Sequence, residues 1–161
     1  MTFEIRKIGV VGSGQMGSGI AQVSAAAGFD VVMNDISEDR IHAAIAKIDG
    51  NFGRLVEREA MSASARTAAM ARIKPGAAFK DLSTCDLVIE AATENEEVKR
   101  QILADICAPL KKDAVIATNT SSISITRLAA TTDRPTRFIG IHFMNPVPRM
   151  QLVELIRGIA T

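Results

Sequence analysis

His142 and Glu154 stand twelve residues apart, on either side of the proline-containing segment Asn145-Pro146-Val147-Pro148, and each falls in a short apolar run. Two strands joined in this way can bring both side chains to one end of a sheet, where ligands bind in α/β folds. A carboxylate bonded to one imidazole nitrogen fixes the tautomer and leaves the other free as a general base for an alcohol proton. The same pair also reads as a half-buried histidine and a surface glutamate. His42, the other histidine, sits in helical periodicity and reads as a solvated helix residue. The chain has two His and neither Tyr nor Trp. Mechanisms that need a catalytic tyrosine or a multi-histidine metal cluster are therefore excluded, and no metal site is expected.

Gly12-Ser13-Gly14-Gln15-Met16-Gly17 has the form G-x-G-x-x-G, directly after an apolar run and before helical periodicity. In that context the first glycine permits a tight turn, the second lets backbone approach a pyrophosphate, and the third lets helix and strand pack closely. The amides and dipole at the helix start would hold the diphosphate. Asp35 follows Gly17 by 18 residues (35 − 17), at the end of the next apolar run. A carboxylate there can accept hydrogen bonds from both ribose hydroxyls of an adenosine, and its charge repels a 2′-phosphate. This favours NAD over NADP, and Arg40 nearby keeps NADP open.

Two further groups carry chemistry on one reading and plain structure on another. Asn119-Thr120-Ser121-Ser122 follows an apolar run; its hydroxyls can cap the next helix or meet a ligand at the carboxyl end of a strand. Lys47, Asn51, Arg54 and Arg58 recur at +4, +7 and +11 on a long helical segment. They form a solvated face or a grip for the phosphates of a large substrate handle.

The elements that must position these residues follow from periodicity. Ile8 to Val11, Asp30 to Asn34, Asp86 to Glu90, Ala114 to Thr118, Phe138 to Phe143 and Gln151 to Ile156 read as strands. A helix starts at Met16 with Met16, Ile20, Val23 and Ala27 on one face, and Gly28 is a C-cap candidate. Ser37 is an N-cap candidate for a long helix with Ile41, Ile45, Ile48, Phe52 and Leu55 on its apolar stripe. That helix turns near Glu59 to Ala63 into a shorter one through Arg72, and Pro75-Gly76 breaks the pattern. Asn95 caps a helix with Val98, Ile102 and Ile106 inward, and Ile125 to Ala130 is a short helix. Short buried strands alternating with amphipathic helices predict an α/β, doubly wound and mostly parallel sheet of Rossmann type, with a helical hairpin inserted after the second strand. Residues 1–161 are read as one domain.

Composition sets outer bounds. The 161 residues are 47% hydrophobic and 23% charged, as in a globular domain with a core of its own. Nineteen Lys and Arg against eighteen Asp and Glu leave a formal net charge of +1, so no whole-molecule field would hold nucleic acid or an anionic membrane. Cys85 and Cys107 fit no metal spacing and read as small buried thiols in a reducing compartment. No run approaches a membrane span, and MTFEIRKIGVVG enters structured pattern with no signal peptide. A cytoplasmic protein is expected.

Taken in order, Gly12 to Ala21 (GxGxMGxGIA), Asp35, Glu90 to Lys99 (EAATENxxVK), Asn119 to Thr126 (NTSSxSIT) and Ile141 to Glu154 (IHFMNPVPxMxLVE) resemble the short-chain 3-hydroxyacyl-CoA dehydrogenases, most of all the bacterial 3-hydroxybutyryl-CoA dehydrogenases. The resemblance covers essentially the whole chain. It implies reversible oxidation of an (S)-3-hydroxyacyl-CoA to the 3-oxoacyl-CoA, with NAD as hydride acceptor, in fatty acid or butanoate metabolism. By motif it implies His142 as general base, Glu154 as its orienting partner and Ser121 as a contact to the substrate oxygen. It implies cofactor contacts at Gly12, Gly14, Gln15, Met16, Gly17, Asp35, Ala92, Glu94, Lys99 and Asn119. It implies a CoA grip at Asn51 and Arg58, with Arg54 on the same face. The family often has lysine where this chain has arginine, a mild departure because either holds phosphate.

Members of that family are nearly twice as long, with a second, all-helical domain that forms a dimer and closes over the acyl chain. The chain is accordingly read as the cofactor-binding domain of a larger homodimeric enzyme, expected to bind NAD and to turn over weakly or not at all by itself. The competing reading is an isolated NAD-binding or NAD-sensing domain without turnover. A 6-phosphogluconate-type dehydrogenase shares the glycine loop but relies on a lysine from a following domain, and the spacing of His142 and Glu154 disfavours it.

Overall fold

The computed structural model describes residues 4–161. Met1, Thr2 and Phe3, on which part of the reading of the N-terminus rests, lie outside the described residues. Lys7–Val11 forms β1, Asp30–Asn34 β2, Ile73–Gly76 β3, Leu87–Glu90 β4, Val115–Thr118 β5, Phe138–Phe143 β6 and Val153–Arg157 β7. The helices are α1 (Gln15–Ala26), α2 (Glu38–Glu57), α3 (Ala63–Arg72), α4 (Glu96–Cys107) and α5 (Ile125–Ala129).

The strands make one sheet in the order β3-β2-β1-β4-β5-β6-β7. Pairing is parallel from β3 through β6, and β7 runs antiparallel to β6. Chain order reverses between β1 and β4, and the carboxyl ends of those two strands open the crevice where ligands of doubly wound folds sit.

Successive strand residues feed opposite faces, as the two-residue period requires. Val10, Met33, Ile89 and Ala117 pack with Ile20, Ile41, Ile48 and Phe52 of α1 and α2. Their neighbours Val11, Val32, Val88 and Ile116 pack with Leu103, Ile106 and Leu128 of α4 and α5. Both cysteines are free and buried, and burial pushes the Cys85 thiol up to about 11. Among the described residues no helix is long and apolar enough to cross a membrane.

Four local expectations need correction. Pro75-Gly76, read as a break, closes a strand, Ile73–Gly76, at the sheet edge, where Pro75 can sit because an edge strand needs no donor on its outer side. Val98, expected inward, is 48% exposed, and its neighbour Lys99 takes the buried position. Leu55, expected on the buried stripe of α2, is exposed at the end of that helix. Ser37 does stand at the N-cap of α2, but its side chain makes no capping bond there.

Candidate active site

The glycine loop is shaped by close backbone contacts. Gly12 has φ +102°, and a Cβ there would meet the Ala92 Cα at 2.6 Å, so β1 and the loop after β4 abut. A Cβ at Gly17 would lie 1.8 Å from the Gly12 carbonyl oxygen. Neither position admits another residue unless backbone moves. At Gly14, by contrast, a Cβ meets nothing within 4 Å. The loop is thus tight beneath and open above, over the free amides of the first turn of α1. That is the geometry a diphosphate needs, and the residues present fit a dinucleotide.

Asp35 lies just past β2, its carboxylate beside the loop. Its Oδ2 accepts hydrogen bonds from the Ser13 amide (2.8 Å) and the Ser13 hydroxyl (2.7 Å). Its Oδ1 lies 3.6 Å from the Arg40 guanidinium. Burial pushes this carboxyl up, but the two bonds from Ser13 and the charge of Arg40 outweigh it and hold it below the ordinary carboxylate range. It therefore stands ionised at neutral pH. Ser13, which the motif leaves as an x, ties the acid to the loop.

On the other side of the crevice a buried ionic cluster closes the ends of β4 and β5. Lys99 is 1% exposed, and its Nζ lies 2.6 Å from Glu90 Oε2, 3.3 Å from Thr118 Oγ1 and 3.7 Å from Glu94 Oε2. Glu90, fully buried, also accepts from the Thr118 hydroxyl (2.8 Å) and the Ala92 amide (2.8 Å). Lys99 is thus turned into the sheet, and it reaches the crevice through Glu94. The Glu94 Oε1 in turn accepts from the Thr120 hydroxyl (2.5 Å) and the Ser121 amide (3.0 Å). Burial raises the Glu94 carboxyl, while these bonds and Lys99 pull it below its usual value. The β4–α4 and β5–α5 loops are laced together through this one carboxylate.

His142 and Glu154 face each other directly across the antiparallel β6–β7 pair. His142 Nδ1 lies 2.8 Å from Glu154 Oε2. A carboxylate can only accept, so Nδ1 carries the proton and the Nε2 lone pair is free. His142 and Glu154 line a cleft of about 340 Å³ together with Ser121, Ser122 and Thr126. Asn119 lies behind it, its Oδ1 accepting from the Phe143 amide at 2.8 Å, which fixes the loop after β5 against the end of β6. The arrangement can take a proton from a hydroxyl held at the Ser121 end of the cleft.

A second groove, of about 420 Å³, runs between α1, α2 and the β6–β7 loop. Asn51, Arg54 and Arg58 line it as the spacing suggested, with Lys47 beside them. Asn51 donates to the Gln22 carboxamide (2.8 Å) and accepts from Arg54 (2.5 Å), which draws that part of the stripe against α1. Gln15 lines this groove as well as opening α1, and it donates to the Asn145 carboxamide at 3.0 Å. Met16 packs partly buried against the core beneath the loop.

Sequence reasoning did not single out Ser13, Gln22, Thr118 or Arg149 for the roles these positions now suggest. Thr118 had a visible signal, a polar residue closing an apolar strand beside Glu90, which closes another. Arg149 sits in a proline turn with no period to betray its direction.

The model of the family described as "3-hydroxyacyl-CoA dehydrogenase, NAD binding domain" matches residues 7–161. A 3-hydroxybutyryl-CoA dehydrogenase of Bradyrhizobium diazoefficiens is 60% identical over all 161 residues, which are 55% of its own length. The fatty acid oxidation complex subunit alpha of Psychrobacter arcticus is 41% identical over 155 residues, 96% of this chain and 22% of that one. The crystal structure of an (S)-3-hydroxybutyryl-CoA dehydrogenase from Ralstonia eutropha superposes with a TM-score of 0.96 at 49% identity, covering 98% of this chain and 56% of that one. The chain therefore spans about half the length of the two dehydrogenases.

Proposed function

The chain belongs to the 3-hydroxyacyl-CoA dehydrogenase family as its NAD-binding domain, and from that premise we propose that it serves an oxidoreductase interconverting (S)-3-hydroxyacyl-CoA, here 3-hydroxybutyryl-CoA, and 3-oxoacyl-CoA. The observation that carries the chemistry is the 2.8 Å bond from His142 Nδ1 to Glu154, which leaves Nε2 free toward the cleft that Ser121 shares. In the oxidative direction His142 Nε2 takes the C3 hydroxyl proton. Glu154 holds the ring in that tautomer and offsets the imidazolium charge that forms. Ser121, its amide pinned by Glu94, offers its hydroxyl to the substrate oxygen. NAD, when bound, supplies the acceptor for the C3 hydride.

Gly12, Gly14, Gln15, Gly17 and Asp35 hold the diphosphate and adenosine half of that cofactor in this reading. Met16, Ala92, Glu94 and Asn119 border its nicotinamide half, and Lys99 supports them from beneath. Asn51, Arg54 and Arg58 grip the CoA handle. The working enzyme is a cytoplasmic homodimer that gains its dimer contacts and its closure over the acyl chain from a helical domain such as the family's longer members carry.

The test is NADH oxidation with acetoacetyl-CoA by the intact gene product. His142→Ala should lose about 10²–10⁴-fold in rate, the usual worth of a general base, with NAD affinity unchanged. An unaltered rate in that variant overturns the assignment.

A further inference from the structure

We propose that Arg149 forms the second wall of a polyphosphate clamp and makes the groove beside α2 selective for thioesters carried on CoA over those carried on a bare pantetheine arm. The inference rests on the acyl-CoA reading above and adds to it a residue from a different element.

Four cations line this groove, Lys47 and Arg54 from α2, Arg58 just past its end and Arg149 from the β6–β7 loop, and no carboxylate does. Several arginines elsewhere face acids: Arg6 meets Glu4 at 2.8 Å, Arg66 meets Asp49 at 2.8 Å, Arg127 meets Glu96 at 2.6 Å and Arg134 meets Asp133 at 2.7 Å. Among the described residues the side chains of Lys47, Arg58 and Arg149 have no partner, and Arg54 has only the neutral Asn51. In a chain of formal net charge +1, this gathers unneutralised positive charge at one place. Like charges crowded on a concave surface gain nothing for the fold and raise the local concentration of anions.

The loop that carries Arg149 is built to hold it there. Val147 is buried, and it seats on α1 at Gly19, where an added Cβ would lie 2.7 Å from its own Cβ. The Arg149 and Met150 amides both donate to the Pro146 carbonyl, at 3.0 and 3.2 Å, and Gln15 bonds Asn145. An anion bound by α2 alone would be met on one side. Arg149 meets it from the other, and Arg side chains on two walls suit the several phosphates of CoA. A pantetheine arm has none of them.

The experiment titrates CoA, pantetheine and NAD separately into the 161-residue chain by calorimetry, for wild type, Arg149→Gln and Arg149→Lys. Arg149→Gln should weaken CoA binding about tenfold, the scale of one lost charge-assisted contact. Pantetheine and NAD should be unmoved, and Arg149→Lys should keep CoA affinity within about threefold of wild type because a point charge still holds phosphate. Equal CoA affinity in wild type and Arg149→Gln, an equal loss for pantetheine, or a loss of NAD affinity instead would each overturn the clamp. The two readings separate cleanly. Arg149-dependent CoA binding without any acetoacetyl-CoA turnover by the intact gene product keeps the clamp and removes the dehydrogenase, and turnover with Arg149 indifferent does the reverse.

Discussion

Lys99 of α4, whose ammonium lies at the carboxyl end of β4, and Arg58, just past the end of α2, are both cations, but they are held on opposite terms. Lys99 is out of water and bonded to Glu90 and Thr118, because an unpaired ammonium in the sheet would cost several kcal/mol. Arg58 is exposed and unpaired, which costs almost nothing in water. The first is committed to the fold and acts on the site only by holding Glu94 and, through it, the Ser121 loop. The second is left free for whatever anion arrives. The difference separates a cation that shapes the protein from one that the fold does not use.

Breaking the buried member gives the largest effect. Lys99→Met leaves Glu90 buried without its counter-charge, and urea denaturation should show a loss of about 3–5 kcal/mol, the usual cost of orphaning one half of a buried pair. A loss below about 1 kcal/mol would place Lys99 with the exposed cations.

Acid sharpens the contrast at an intermediate scale. Asp35 and Glu94 have folded-state values below their unfolded ones, so the folded chain binds fewer protons than the unfolded chain in acid. Their contribution to stability is complete above the ordinary carboxylate range near pH 4 and is lost as pH falls through the folded values. Denaturation midpoints should be level from about pH 7 to 5 and fall below that. Asp35→Asn should flatten part of that fall, and an unchanged profile would detach Asp35 from the acid response. The smallest effect belongs to the free member: Arg58→Gln should change stability by less than about 0.5 kcal/mol, as surface substitutions do, while CoA binding weakens.

The same contrast explains what could be read in the residues beforehand. β2, Asp30–Asn34, is where its apolar run placed it, because burial on both faces writes a continuous signal. His142 and Glu154 were legible as a pair because a hairpin of that length sets them opposite each other. Val98 was misplaced because periodicity assumes that the buried face is apolar, whereas α4 buries a lysine. The strand Ile73–Gly76 escaped because four residues with a proline resemble a turn until a neighbouring strand is there to pair with them. Arg149 escaped because its direction comes from Val147 seated on another element, a tertiary fact without a local pattern.

That seat on Gly19 makes α1 a shared beam. Its first turn underlies the loop shaped for a diphosphate, and its second carries the loop that aims Arg149. For anyone re-tailoring the groove beside α2 to another ligand, residues 145–149 are the exchangeable fitting and Gly19 is the socket, because bulk added there would push on both the fitting and the beam.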